Sequence, residues 1–588
     1  MRSTSQLSDA AVPFAGPAAV LGNGALLATL SERARVEGLF WPSVDRGSHV
    51  GELRLGIERN GKLFWLDEEE HVQQSYLQDT NVLLTRLGDV EVVDLVHELE
   101  PVLLRRVSGE GRLVVQCRPE LDGSTRLIGA SVEGNRVVFY RRDVALAIGA
   151  LGAEAFSHGF GSAEGGIACT ITGQAVVVLA FGASSREAVA RLDAALQQDF
   201  TELLASRRRH DSARLESAAP PPTSAPEGLV PLYRRTLLVL DLLSDRRTGA
   251  VIAAPELDAD FEHSGGYGFV WGRDLAFIVL AFLAAGRTDL ARRALRWLPT
   301  AQEPEGLWLQ RHWTDGSLAP SWCKHQLDET GAILFAYEAA WRALRDEQLD
   351  ADLWPSARRA AEFLLGTIEE DGIPCSTADL WEEREGRHAF TAAAVYGGLR
   401  SAAAMARRHE PFLAESYETT AELVREAIER ELWSEFHGRY LRSIGDPVLD
   451  VSLLGLAWPF AAVDPAGERM RATVAALEEE LGDVESGVAR YAGDTYVGGN
   501  NWVLAALWLG LWRRQAGDTA GLERSLEYAV RVQTDLGLLP EQVTDEGEPA
   551  WVVPLAWSHA MLLLAARPEL EAVSAASGET PAVSLEGA

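Results

Sequence analysis

Two acidic sites, far apart in the chain, stand out for the chemistry they could perform. Asp379-Leu380-Trp381-Glu382-Glu383 sets adjacent carboxylates beside a tryptophan, just ahead of an apolar helical run over 389–408. Leu539-Pro540-Glu541-Gln542 holds a further, isolated acid. Separated carboxylates with aromatic neighbours suit glycoside hydrolysis, in which one acid protonates the leaving oxygen and another activates water or attacks the sugar. Taken singly, Trp-Glu-Glu also fits an ordinary helix start. The weight therefore rests on where the motifs fall in the plan of the chain.

Other strings carry further polar chemistry. Trp271, Arg273 and Asp274 lie in Gly268-Phe269-Val270-Trp271-Gly272-Arg273-Asp274. Arg273 and Asp274 fit a buried ion pair, yet a fork of donors beside an acceptor also suits vicinal sugar hydroxyls. In Gln326-Leu327-Asp328-Glu329, the acids equally suit a helix N-terminus or a sugar contact. The glycines of Val497-Gly498-Gly499-Asn500 permit a tight turn that brings backbone to a site floor. No phosphate-binding GxxxxGK[ST] or zincin His-Glu spacing occurs. His312, His325, His388 and His559 are scattered and read as structural or outer sugar contacts, with no metal site.

The elements that must position these residues follow two grammars. From about 20 to 182, short apolar or alternating segments (53–57, 90–96, 113–117, 136–140, 175–179) predict an antiparallel β-sandwich. Residues 185–207 switch to a helical period and end in Arg207-Arg208-Arg209. Residues 218–226, with four prolines, mark a boundary. The expected organisation is a β-sandwich over 1–184, a helical linker over 185–226, an (α/α)6 barrel over 227–567 and a disordered tail over 568–588. Twelve helical runs are read beyond the linker: 229–245, 273–286, 288–300, 328–344, 354–369, 389–409, 414–433, 450–463, 466–481, 500–517, 519–533 and 555–567. The polar motifs precede or open the second, fourth, sixth, tenth and twelfth. Helices two apart in an up-down barrel run the same way, so all five motifs fall at one end and line one funnel.

Composition narrows the functional classes. A length of 588 residues exceeds one ordinary core. The formal net charge of −32, from 86 acids and 54 bases, excludes nucleic acid and anionic membrane as natural partners. The 17 tryptophans supply core mass, and a few of them could stack on sugar faces. Four dispersed cysteines (Cys117, Cys169, Cys323, Cys375) give neither a disulfide framework nor a zinc site. Asp9, Pro13, Gly16 and Pro17 break the apolar start, and no 18-residue apolar run exists, so a cytoplasmic protein is expected.

Val270-Trp271-Gly272-Arg273-Asp274, Gln326-Leu327-Asp328-Glu329-Thr330, Asp379 to Glu383, Arg490-Tyr491 through Asp494-Thr495-Tyr496 to Trp502, and Glu541-Gln542 with Ala556-Trp557-Ser558-His559 together resemble the glucoamylase family, glycoside hydrolase family 15. Leu21-Gly22-Asn23-Gly24 through Phe40-Trp41-Pro42 resembles the start of its bacterial and archaeal members. The resemblance implies the same two-domain fold and inverting exo-hydrolysis that releases β-glucose from an α-glucoside, without metal or organic cofactor. It implies Glu382 as general acid and Glu541 as general base. Asp379 and Glu383 would tune the acid and contact sugar. Arg273 and Asp274 would hold the terminal glucose, Arg490 would lie near the scissile linkage, and Trp271, Trp381, Trp502 and Trp557 would shape the pocket. Gly272 and Asn501 depart from the family pattern, which more often has Pro or Ala at the first and Pro at the second. Trp322-Cys323-Lys324-His325 is also idiosyncratic and suggests an outer subsite.

That chemistry asks for a protonated Glu382, expected from the like charges of Asp379 and Glu383 and burial against Trp381. It asks for an ionised Glu541, whose burial must be offset. An α-1,6-glucosidase or an α,α-trehalase on the same fold stays open, because the motifs bind a terminal glucose alike. An inverting phosphorylase is disfavoured by Glu541, which would repel phosphate. A non-catalytic sugar-binding homologue is disfavoured by the presence of both acids. The oligomeric state is not legible.

Overall fold

The computed structural model describes residues 16–133, 136–160, 165–223, 225–258, 265–322 and 325–567. The expected tail from 568 onward, with Cys323 and Lys324, lies outside the described residues. Up to Gly182 the described chain forms thirteen antiparallel strands in one hydrogen-bonded sheet. Val102–Pro119 pairs throughout with Gly165–Gly182. Its other edge pairs first with Val90–Val96 and then with Val50–Arg59. This change of partner lets one sheet supply both layers of the sandwich. It occurs around Gly111, whose φ of +132° suits only glycine and where a Cβ would meet Ile57 Cγ2 at 2.6 Å. Reading glycines as strand ends therefore shortened the expected segments.

Alternation along the strands decides what covers each face. Leu103, Val107, Val177, Leu179 and Phe181 join the main apolar core. Val102, Leu104, Val178 and Ala180 meet helices α1 (Ser185–Leu196) and α2 (Phe200–Glu216). The expected single helical run is thus two helices, broken before Asp199, whose side chain caps α2 by accepting from Thr201 N–H and Glu202 N–H. Arg207 is buried and pairs with Asp211 at 2.9 Å while donating to the Gly22 and Val96 carbonyls. It fastens α2 to the sheet instead of ending a spacer.

The helical domain comprises α3 (Leu229–Leu243), α4 (Gly272–Ala284), α5 (Thr288–Trp297), α6 (Leu327–Leu344), α7 (Glu347–Leu365), α8 (Ala389–His409), α9 (Pro411–Ala427), α10 (Glu468–Leu481), α11 (Val503–Gln515), α12 (Thr519–Val532) and α13 (Ala556–Ala566). The helix expected over 450–463 is instead a 3₁₀ turn, Val451–Leu456, followed by irregular chain. Pro459 lacks an N–H and disfavours helical backbone at Trp458, which explains the difference. Contacts run from α4 to α6, α8, this turn, α11, α13 and back to α4, closing an inner ring of six elements. The inner helices are apolar nearly all round and almost wholly buried; α5, α7, α9, α10 and α12 bury one face and form the outer layer. The architecture is a β-sandwich followed by an (α/α)6 barrel.

One apolar core runs through both domains, and polar contacts reinforce the joint. Arg235 on α3 donates to Asn81 and Thr80 of the sandwich and stacks 3.7 Å over Tyr76. No helix among the described residues is long and apolar enough to cross a membrane.

Candidate active site

The N-terminal ends of α4, α8, α11 and α13, or the loops that lead into them, face one cavity of about 190 Å³, smaller than the roughly 300–1,000 Å³ of common ligand clefts. Trp271, Arg273 and Asp274 enter it from the start of α4, and Trp381, Glu382 and Glu383 from the loop before α8. Arg490 and Trp502 enter ahead of α11, and Glu541 and Trp557 around the start of α13. Ten of the eleven residues to which the family resemblance gave roles therefore meet in one place.

Asp379 does not line the cavity. It organises the turn that carries Glu382, between the paired segments Thr377–Ala378 and Glu385–Gly386. Its carboxylate accepts from Glu383 N–H at 2.8 Å, Arg384 N–H at 3.2 Å and Arg384 Nη1 at 3.1 Å. Gln326 Nε2 donates to the Asp379 carbonyl at 3.0 Å, tying the turn to the start of α6. Glu382 sits at the tip with φ +65°, a left-handed conformation costly for a residue with a Cβ and concentrated at functional sites.

The Glu382 carboxyl is buried between two donors. Trp271 Nε1 donates to Oε1 at 2.6 Å, and Gln310 Nε2 donates to Oε2. Burial holds its pKa above the ordinary carboxylate range, against the opposing pull of Arg273, these two hydrogen bonds and Arg311. Of the two expected causes, burial is the larger. Asp379 is engaged by Arg384, and Glu383 accepts from Arg490 Nη2 at 2.9 Å and Tyr491 Oη at 2.6 Å. Desolvation is the largest contribution.

Glu541 lies at the start of a short ladder, Gln542–Val543 between Asn501–Trp502 and Pro549–Ala550. Ser558 Oγ donates to the Pro540 carbonyl, and Leu539 N–H donates to His559 Nε2. Burial pushes the His559 pKa down to about 3, so it stays a neutral clamp. Glu541 accepts from Tyr267 Oη at 2.7 Å and Gln542 Nε2 at 3.0 Å. Burial pushes its pKa up to about 7 despite these donors and Arg490. The expected offset is therefore only partial.

Arg273 lies among four buried acids. Its distances are 3.3 Å to Asp274, 3.4 Å to Asp328, 3.5 Å to Glu329 and 3.6 Å to Glu382. Burial opposes its charge, but these carboxylates outweigh that and keep the guanidinium charged. One cation cannot neutralise four anions in a dry site. Burial lifts Asp274 to about 6 and Glu329 well above the usual carboxylate range. Asp328 and Glu329 do not line the cavity; they hold Arg273 from behind.

Arg490, also in the lining, forms a bidentate pair with Asp494, both contacts at 2.7 Å. Trp381, Tyr491, Tyr496 and Trp502 surround its guanidinium at 4.9–5.2 Å. Trp381 Nε1 donates to Asp450, so the loop before the 3₁₀ turn also braces the site. The indole N–H groups of Trp502 and Trp557 are buried without an acceptor among the described residues, which suits hydroxyl recognition.

Tyr267 and Gln310 escaped the sequence-based selection of site residues, whereas Tyr496 stood in a quoted motif without a role and Trp322 in the segment expected to form an outer subsite. Tyr267 and Tyr496 share a 2.8 Å hydroxyl contact beside Glu541. The signal for Tyr267 was its place four residues before Trp271. Trp322, half exposed at the rim, donates from Nε1 to the Glu382 carbonyl at 3.3 Å. Gln310 lies in an irregular loop that gave no signal. Of the histidines, His388 contacts Thr377 and Ser443, and His312 is buried in apolar surroundings.

The geometry can be set beside known proteins. A glycosyl hydrolase of Methanocaldococcus jannaschii with no characterised activity is 26% identical, over 93% of this chain and 97% of its own. An isomaltose glucohydrolase of Kribbella flavida is 32% identical over 45% of this chain and 69% of its own. The crystal structure of a bacterial glucoamylase complexed with acarbose superimposes with a TM-score of 0.80, at 19% identity, over 97% of this chain and 96% of that one. The pattern of Glycosyl hydrolases family 15 matches residues 232–567, more than half of the chain. With its fold, its paired buried acids and this match, the chain is a glycosidase that belongs to glycosyl hydrolases family 15.

Proposed function

We propose that the protein is an inverting, exo-acting α-glucosidase that releases β-glucose from non-reducing ends, with Glu382 as general acid and Glu541 as general base. The observation that carries this reading is the pair itself. Two buried carboxyls face one small cavity, each anchored by its own donors and each raised by burial. Glu382 gives its proton to the glycosidic oxygen as the bond from C1 to that oxygen breaks. Trp271, Gln310 and Arg273 then stabilise the carboxylate left behind. Water attacks C1 from the other face and gives its proton to Glu541, oriented by Tyr267 and Gln542. Inversion needs room for that water, a carboxyl separation of roughly 6.5–9.5 Å. Arg273 and Asp274 read the terminal hydroxyls, and Arg490 in its aromatic box stands toward the linkage. Asp379 acts by holding the acid's turn and does not touch sugar itself.

The motifs' resemblance to glucoamylases favours an α-1,4 linkage. The resemblance to an isomaltose glucohydrolase supports α-1,6 as the second reading. Proton NMR of a maltodextrin digest tests mechanism and mode together. β-Glucose should appear from the first minutes, before mutarotation, without di- or trisaccharides. An initial α-anomer would overturn the mechanism, and early oligosaccharides would overturn the exo mode. Relative rates on maltose, isomaltose and α,α-trehalose then assign the linkage.

A further inference from the structure

The loop over 307–322 touches both the candidate acid and the β-sandwich. Gln310 is fully buried; its Nε2 donates to Glu382 Oε2, and its Oε1 accepts from Trp322 N–H at 3.1 Å. The next residue, Arg311, donates to the Pro320 and Gly266 carbonyls and lies over the Phe269, Trp271 and Trp322 rings at 4.4–5.3 Å. His312 then exchanges backbone hydrogen bonds with Val270, one residue before Trp271. Two residues on, Thr314 meets the sandwich. Its N–H donates to Asp45 Oδ2 at 2.6 Å, and its hydroxyl donates to Asp45 Oδ1 at 2.9 Å. Asp45 is itself buried and accepts from Ser43 Oγ. Trp297 Nε1 closes the clamp on the Thr314 carbonyl at 2.7 Å.

We infer that Gln310 is a positioning residue for Glu382, and that Asp45 of the β-sandwich holds it in register through Thr314. The inference rests on the reading of Glu382 as general acid. A carboxamide N–H aimed at Oε2 stabilises the carboxylate more than the neutral acid, so it strengthens Glu382 as a proton donor. It also fixes the rotamer of a side chain mounted on a left-handed residue. The sandwich thereby becomes part of the catalytic apparatus, because a loop of irregular backbone cannot hold Gln310 without an anchor. The other groups facing Glu382 are Arg273, Arg311 and Trp271; Glu383, Arg490 and Glu541 share its cavity. None of these residues is itself substituted in the Gln310 and Asp45 variants.

The test is the pH profile of kcat/KM on the best of the three disaccharides, with α-glucosyl fluoride as a leaving group that needs little protonation. Gln310→Leu should move the basic limb up by roughly one pH unit, the worth of one hydrogen bond to a charged group. It should also cost roughly tenfold more on the disaccharide than on the fluoride. Asp45→Ala should act in the same direction but less, and Asp45→Asn, which keeps an acceptor for Thr314, should restore most of the loss. In the Gln310→Leu background, Asp45→Ala should move the limb no further. An unmoved basic limb in Gln310→Leu would overturn the role of Gln310. A shift from Asp45→Ala that persists without Gln310, or a lower Tm with no shift, would overturn that of Asp45. Glu382→Gln run in parallel separates the two levels: if it keeps the basic limb, the assignment of the acid itself fails.

Discussion

Glu382 stands at the tip of a hairpin in a left-handed conformation, whereas Glu541 extends from a short ladder clamped by the start of α13. Both carboxyls are buried and both are raised by desolvation, so burial does not distinguish them. The difference lies in what opposes it. Glu382 has Arg273 at 3.6 Å, Arg311 nearby and two N–H donors. Glu541 has a phenol, a carboxamide and the more distant Arg490, and is left at about 7. The candidate base therefore holds its proton more tightly than isolated carboxylates do. Bringing positive charge to C1 in the transition state, next to Glu541, supplies the missing stabilisation when it is needed. The comparison teaches that these roles come from the cations and donors around each acid, and not from burial alone.

The sharpest way to break this comparison is to neutralise each acid in turn. Glu382→Gln and Glu541→Gln should each lose about 10²–10⁴-fold in kcat while keeping the native circular dichroism spectrum. They should differ on α-glucosyl fluoride, where the Glu382 variant recovers much of its rate and the Glu541 variant does not. Equal loss on both substrates for both variants would show that the two carboxyls do not have separate roles.

The next effect probes the support of Glu541. Its activity requires the ionised form, so kcat/KM should fall as pH drops below about 7. Tyr267 stays a neutral phenol, since burial and the Glu541 charge hold its pKa far above the ordinary value. Its donated hydrogen bond favours ionised Glu541. Tyr267→Phe should move the acidic limb up by roughly one pH unit and lower activity about tenfold on the acid side, with the basic limb in place. A profile whose basic limb moves instead would assign Tyr267 to the wrong acid.

These supports mark the limit of what the sequence discloses. The alternation of the strands and the helical periods of α4, α6, α8, α11 and α13 are local, and they place five motifs at one barrel end without a structure. The 3₁₀ turn over Val451–Leu456 was misread because its apolar content is that of a buried helix and one proline decides otherwise. Gln310 and Asp45 were invisible for a different reason. Each does its work through a partner at least 70 residues away, in loops without period or motif. Asp379 was legible as important, but not as a turn organiser, because only the backbone path reveals which N–H groups it accepts from.

The smallest effect concerns Gly272, the position that departs from the family pattern, and it belongs to the acid's side of the comparison. A Cβ there would lie 2.6 Å from Glu329 Oε2 and 2.9 Å from Ile333 Cδ1. Glu329 occupies that space because its carboxyl accepts the Arg273 N–H at the start of α4 and pairs with the Arg273 side chain. Gly272 and Glu329, 57 residues apart, are therefore one device: the glycine makes room for the acid that positions Arg273. Gly272→Ala should cost about 1–3 kcal/mol of stability by overpacking, read as a lower Tm. It should raise KM more than it lowers kcat, because Arg273 would bind sugar from a displaced position while Glu382 keeps Trp271 and Gln310. Shortening the acid with Glu329→Asp in the same chain should return part of both losses. If Gly272→Ala leaves Tm and KM unchanged, the crowding is relieved without moving Arg273, and Glu329 is not what fixes the sugar-binding wall.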